Sequence, residues 1–85
     1  MFGPERQEWR FATKEAANAA KPLLKPYTQR MTVRKSLPEF RHCVCNDWSL
    51  FVVYDCFGRA VNAQTSGALT AVKALGGRLY RVKGL

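Results

Sequence analysis

Ser49-Leu50-Phe51-Val52-Val53-Tyr54 is the stretch on which the fold turns. Its β-branched and aromatic side chains favour extended backbone, and the run is too short for a helix of useful length. It is continuous rather than alternating, which predicts a central strand covered on both faces. On its N-terminal side Asn46-Asp47 reads as a turn. On its C-terminal side Asp55-Cys56-Phe57-Gly58 reads as a hairpin loop, with Gly58 free to take positive φ, and Arg59–Ala63 as the returning strand.

Further upstream, Arg30–Ser36 alternates: Met31 and Val33 are expected to face inward, and Arg30, Thr32 and Arg34 outward. Pro38 interrupts this strand, and Phe40–Cys45 resumes an extended pattern. Near the C-terminus Arg78–Lys83 alternates again, with Tyr80 and Val82 predicted inward and Arg81 and Lys83 outward.

Two helices are predicted between these strands. The first opens at Thr13, a good N-cap, with Glu15 beside the positive end of the helix dipole and four alanines supplying propensity. Ala16, Ala20 and Leu23 or Leu24 share one side, and Pro22 and Pro26 end or kink the helix. The second is capped by Thr65 or Ser66, carries an apolar stripe of Ala68, Leu69, Val72 and Leu75, and closes on Gly76-Gly77. At the N-terminus Gly3 and Pro4 point to a flexible arm over residues 1–8. Trp9 and Phe11 then anchor the chain, as a short strand or as a staple into the first helix.

Thr13–Lys35 and Thr65–Lys83 echo one another, each a capped alanine-rich helix followed by a turn and a basic alternating strand. The expected class is therefore α+β: one domain spanning 1–85, a small antiparallel sheet of four to five strands, and two helices packed on one face in a split βαβ-like arrangement. Eighty-five residues allow one thin core, and a composition 47% hydrophobic and 12% aromatic is that of a folding chain.

Several function classes lose support at once. The segment MFGPERQEWR has no apolar signal core and the longest apolar run, Leu50–Tyr54, is far too short to cross a bilayer, so a cytoplasmic chain is expected. Three cysteines do not make a secreted disulfide framework. His42, Cys43, Cys45 and Cys56 have zinc-ligand chemistry, but a single residue separates Cys43 from Cys45 where zinc sites use two to four, so the thiols read as small apolar residues. A Cys45–Cys56 disulfide would fit across a hairpin, although a reducing cytosol opposes it. His42 is the lone histidine, the acids are scattered, and no glycine loop opens a helix. No catalytic residue, metal or cofactor is expected, and the chain reads as a non-enzyme.

Charge is what remains. Fourteen Lys and Arg against six Asp and Glu give a formal net charge of +8, and no acid follows Asp55. Such a field attracts polyanions, nucleic acid above all. Arg30 and Arg34 are expected to share a face with Arg81 and Lys83, bordered by Lys35, Arg41, Arg59 and Arg78, with Tyr27, Trp48 or Phe57 available to stack on bases. Alternating cations on a solvent face also serve solubility and guard sheet edges, which is the plainer account.

The leading expectation is a small basic protein that binds nucleic acid through its phosphates with weak sequence specificity. The alternative is a protein-binding inhibitor or adaptor, of phage or mobile-element type, acting on a host nucleic-acid-processing complex. A homodimer paired through the Arg78–Lys83 edge is a third, structural expectation.

Overall fold

A computed structural model gives the fold; it describes residues 5–38 and 45–84. Four strands, β1 (Glu5–Phe11), β2 (Arg30–Lys35), β3 (Trp48–Tyr54) and β4 (Arg78–Gly84), form one sheet in the order β2-β3-β1-β4, every neighbouring pair antiparallel. Helix α1 (Lys14–Leu24) and a short 3-10 turn (Lys25–Tyr27) connect β1 to β2. Helices α2 (Phe57–Thr65) and α3 (Ala68–Ala74) connect β3 to β4. Each connection passes over one intervening strand, so the sheet is two interleaved split βαβ units. The internal echo falls on equivalent pieces: α1 with β2 and α3 with β4 end at opposite edges of the sheet.

Strand β1 decides the layering. Its odd positions Gln7, Trp9 and Phe11 turn toward the helices, where Trp9 and Phe11 are fully buried with Leu50, Val52 and Tyr54 of β3. Ala17, Ala20 and Leu24 of α1, Ala63 of α2 and Val72 of α3 close the core from above. The small residues on α1 let its backbone approach the sheet, as the alanine spacing implied. Polar groups on this side are satisfied along the strand: Trp9 Nε1 donates to Gln7 Oε1 at 3.0 Å, and Gln7 Nε2 donates to Glu5 Oε2 at 3.0 Å.

Four expectations change. Residues 5–8, assigned to an N-terminal arm, are the first half of central strand β1. Arg59–Ala63, read as a returning strand, is helix α2. Gly58 had suggested a turn, but Ala60 and Ala63 lie one helical step apart toward the core and Asp55 sits four residues before Arg59, pairing with it at 3.2 Å. Tyr80 does not turn inward, because a bulge between Glu8 and Trp9 makes it the extra residue of β4. The Cys45–Cys56 disulfide is excluded, since these thiols flank opposite ends of seven-residue β3, about 20 Å apart, and both are free. The extended pattern over Phe40–Val44 lies outside the described residues.

The Thr13 cap and the closing glycines hold, whereas α3 is entered through Gly67 at φ +85° and not through a Thr65 or Ser66 cap: Thr65 ends α2, and Ser66 is its C-cap, with Oγ accepting from the Ala68 amide at 3.3 Å. Thr13 Oγ1 accepts from the Ala16 amide at 3.1 Å, and α1 carries Pro22 internally, reaching Leu24 before Pro26 tightens it into the 3-10 turn. At the end of α3 the Gly77 amide reaches back to Val72 O and the Gly76 amide to Lys73 O, a Schellman closure with Gly76 at φ +88°. A Cβ on Gly77 would stand 2.7 Å from a Phe11 ring carbon and 2.8 Å from Val72 O, whereas one on Gly76 would meet nothing. Gly77→Ala is therefore expected to cost about 1–3 kcal/mol by overpacking and Gly76→Ala about 1 kcal/mol by backbone strain, ranked by urea denaturation.

Tyr54 is fully buried and its hydroxyl has no hydrogen-bond partner among the described residues. Burial, reinforced by the Glu5 carboxylate across the β1–β3 pair, pushes its pKa up to about 12. An unfolded tyrosine ionises near pH 10, so the fold favours the neutral phenol. The resulting stability is complete below pH 10 and is lost as pH rises toward 12. Tyr54→Phe should remove this alkaline loss in denaturation curves recorded from pH 9 to 12, and should raise neutral-pH stability by about 1 kcal/mol by deleting an orphaned hydroxyl.

Candidate nucleic-acid interface

The helices cover one side of the sheet, and the other carries no helix among the described residues. The antiparallel registers fix what points there. Glu8 aligns with Phe51 on one side and Arg81 on the other; Phe51 aligns in turn with Thr32. One row over, Arg6 aligns with Val53, Arg30 and Lys83; on the opposite side Arg10 aligns with Ser49, Arg34 and Arg78. The period-2 alternation thus gathers Arg6, Arg10, Arg30, Arg34, Arg78, Arg81 and Lys83 on one face. Edge to edge this face is about 14 Å wide, three inter-strand spacings.

The β3 run is continuous for a reason other than the one its sequence suggests. Val53 is nearly buried on this open side, where the register sets it between Arg6 and Arg30. Phe51 is half-buried, with the Arg34 guanidinium 5.0 Å and that of Arg6 5.9 Å from its ring centroid. Tyr80, brought to the open side by the bulge, lies 3.6 Å from the Arg10 guanidinium and 5.5 Å from that of Arg81.

At the centre lies a buried polar cluster. Arg10 Nε donates to Glu8 Oε2 at 3.0 Å, with both side chains about one-tenth exposed. Ser49 Oγ donates to the same carboxylate oxygen at 2.8 Å and contacts Ser36 Oγ at 2.6 Å. Arg10 Nη2 donates to Leu37 O at 3.0 Å, which ties the segment after β2 to the sheet. This ion pair offsets its desolvation through the hydroxyl and carbonyl bonds around it.

The cations divide into paired and unpaired. Arg10 is neutralised by Glu8, Arg78 by Asp47 at 2.9 Å, and Arg59 by Asp55. Arg6, Arg30, Arg34, Arg81 and Lys83 have no carboxylate within 4 Å among the described residues. Of the residues expected to bind, Arg30, Arg34, Arg81 and Lys83 therefore come together on the open face. Arg78 joins its end in an ion pair. Lys35 ends β2 with its ammonium 5.4 Å over the Trp48 ring. Arg59 is on α2, in the helix layer, and Arg41 lies outside the described residues.

Of the proposed stacking aromatics, Trp48 and Tyr27 pack against the core, and the Phe57 side chain lies outside the described set. The residues that sequence reasoning missed are Arg6, Arg10, Phe51 and Tyr80. Arg6, Glu8 and Arg10 alternate with Gln7, Trp9 and Phe11, and that alternation was the available signal for the β1 pair. Nothing in the local sequence marks the bulge that turns Tyr80.

Among the described residues no three His, Cys, Asp or Glu side chains cluster as metal ligands, and His42 and Cys43 lie outside them. No helix there is long and apolar enough to cross a membrane. No family model, curated protein or solved structure matches the chain.

The central pair carries a stability prediction. Arg10→Met leaves the Glu8 carboxylate buried without its cation and is expected to cost about 3–5 kcal/mol. The double variant Glu8→Gln/Arg10→Met should recover a large part of that loss. Urea denaturation of the four proteins in a double-mutant cycle gives the coupling directly.

Proposed function

We propose that the chain is a non-enzymatic nucleic-acid-binding module that grips phosphates with its open sheet face. The observation that carries this reading is the convergence of Arg6, Arg30, Arg34, Arg81 and Lys83 on one surface, none of them with a carboxylate partner among the described residues. Arginine forks suit phosphate oxygens in two-point contacts, and the sheet holds their stems in fixed rows. Such contacts carry no base information, so specificity from this term alone is weak.

Phosphate binding releases counterions, so affinity should fall steeply with salt. Four or five contacts predict a log–log slope between about −3 and −4.5 in fluorescence anisotropy titrations from 50 to 200 mM salt. The double variant Arg34→Gln/Arg81→Gln should flatten that slope by about 1.5–2, and Lys73→Gln, on α3 in the helix layer, should leave it unchanged. Binding independent of salt, or no binding at 50 mM, would remove the proposal.

A second reading is favoured by the β4 edge. Leu79 and Val82 are 45% and 50% exposed there, with Leu75 beside them at the end of α3. Apolar side chains along an unpaired strand suit a protein partner, which fits an inhibitor or adaptor of phage type acting on a nucleic-acid-handling complex. A stoichiometric protein retained in pull-downs after nuclease treatment supports this second reading over the first.

A further inference from the structure

The open face contains a carboxylate that a pure phosphate-binding surface has no use for. Glu8 sits at its centre, its charge balanced by Arg10, and an acceptor oxygen at that point has nothing to offer a phosphate. Around Glu8 the surface sinks into a depression of about 540 Å³, within the range of small-ligand sites, walled by Phe51 and Tyr80 and flanked by Arg34 and Arg81. The bulge that turns Tyr80 to this side gives the depression its second aromatic wall; bulges re-aim side chains in this way beside functional sites.

The geometry points to this depression as a subsite for one unpaired nucleobase bearing an exocyclic amino group, with Glu8 as the acceptor that reads it. This rests on the nucleic-acid reading above and narrows it to single strands. Three features support it.

Glu8 Oε2 is saturated by Arg10 and Ser49, which lock the carboxylate in place, while Oε1 takes no hydrogen bond from a described residue and is not sealed from solvent. A fixed anionic acceptor selects N–H donors. Cytosine, adenine and guanine present an amino group, whereas thymine and uracil offer carbonyl oxygens flanking one imide N–H.

The half-buried Phe51 ring offers a stacking surface that base pairs in a duplex cannot reach, and aromatic rings bordered by arginines are how single strands are held on sheet surfaces. Arg34 and Arg81, which pair with no carboxylate among the described residues, then stand where phosphates on either side of the inserted base would pass.

The test uses the full chain and fluorescence anisotropy at 50 mM salt, with 12-mers of dC, dA and dT, their ribose counterparts, and a 12-base-pair duplex as competitors. The expected result is that dC and dA, or their ribose forms, compete at least tenfold better than the thymine or uracil oligomer and than the duplex. Phe51→Leu should weaken single-strand binding about tenfold or more and leave duplex binding within twofold. Glu8→Gln, an uncharged isostere that also donates, should shrink the preference for dC over dT below threefold. The wild-type base preference and the Phe51 variant do not depend on the Glu8 variant folding, which circular dichroism checks.

Salt-sensitive binding with equal affinity for all oligomers and the duplex, unaffected by Phe51→Leu, overturns this inference and leaves the phosphate-binding proposal standing. No binding of any nucleic acid overturns both.

Discussion

Strand β1 is hydrogen-bonded on both sides, to β3 and to β4, and its alternation sorts the molecule into two surfaces with different chemistry. Gln7, Trp9 and Phe11 go to the helices and form the base of the core; Arg6, Glu8 and Arg10 go to the open side and form the centre of the candidate interface. A slip of one residue in either register would exchange the two sets, placing guanidinium groups under α1 and Trp9 in water. The cost of that exchange is what holds the register, and the same constraint brings the cations into rows. Core and candidate site are therefore one consequence of one alternation.

The open face is stabilised by a division of labour among its arginines. Arg10 is immobilised by Glu8, Ser49 and the Leu37 carbonyl, and it packs on Tyr80; its charge is spent inside the protein. Arg6 and Arg34 lean toward Phe51, and Arg6 and Arg30 flank Val53 in the register, a placement in which long stems can shield an apolar strand while the charged heads stay wet. A sheet with only one helical layer can in this way keep an apolar central strand on its exposed side. The pattern also explains why seven cations tolerate one another: a carboxylate lies at their middle, and the Phe51 and Tyr80 rings take up the guanidinium groups of Arg6, Arg34, Arg10 and Arg81.

Much of this was legible in the residues. The apolar run at β3, the Thr13 cap, the Gly76-Gly77 closure and the alternation of β2 follow from local rules that tertiary context did not override. The convergence of Arg30 and Arg34 with Arg81 and Lys83 was also readable, since two basic alternating strands in one sheet must put their cations on one face or the other. What local rules do not contain is pairing. Nothing in Glu5–Phe11 alone says that it lies between β3 and β4, and without that neighbourhood Arg6, Glu8 and Arg10 look like a polar arm. Tyr80 was misplaced because a bulge shifts parity by one residue, and a bulge is a property of two strands together. Arg59–Ala63 was misread because Gly58 serves equally in a turn and in the first turn of a helix, and five residues are too few for periodicity to decide.

The same rows of charge bear on whether the sheet extends into a second copy. Both edges, β2 and β4, pair with no further strand among the described residues, and Leu79 and Val82 give β4 an apolar side as well. Antiparallel pairing of β4 with another β4 that keeps the faces continuous must set open-face residues against open-face residues, which means Arg78, Arg81 and Lys83 against one another. Pairing of β2 with itself can bring Arg30 and Arg34 together, and pairing of β2 with β4 does no better. Like charges directly across a strand pair are destabilising, and many such registers contain them, although a β2 self-pairing that sets Arg30 against Thr32 does not. The cations therefore count against many registers of edge-to-edge self-pairing while leaving the edges open to a strand of opposite sign.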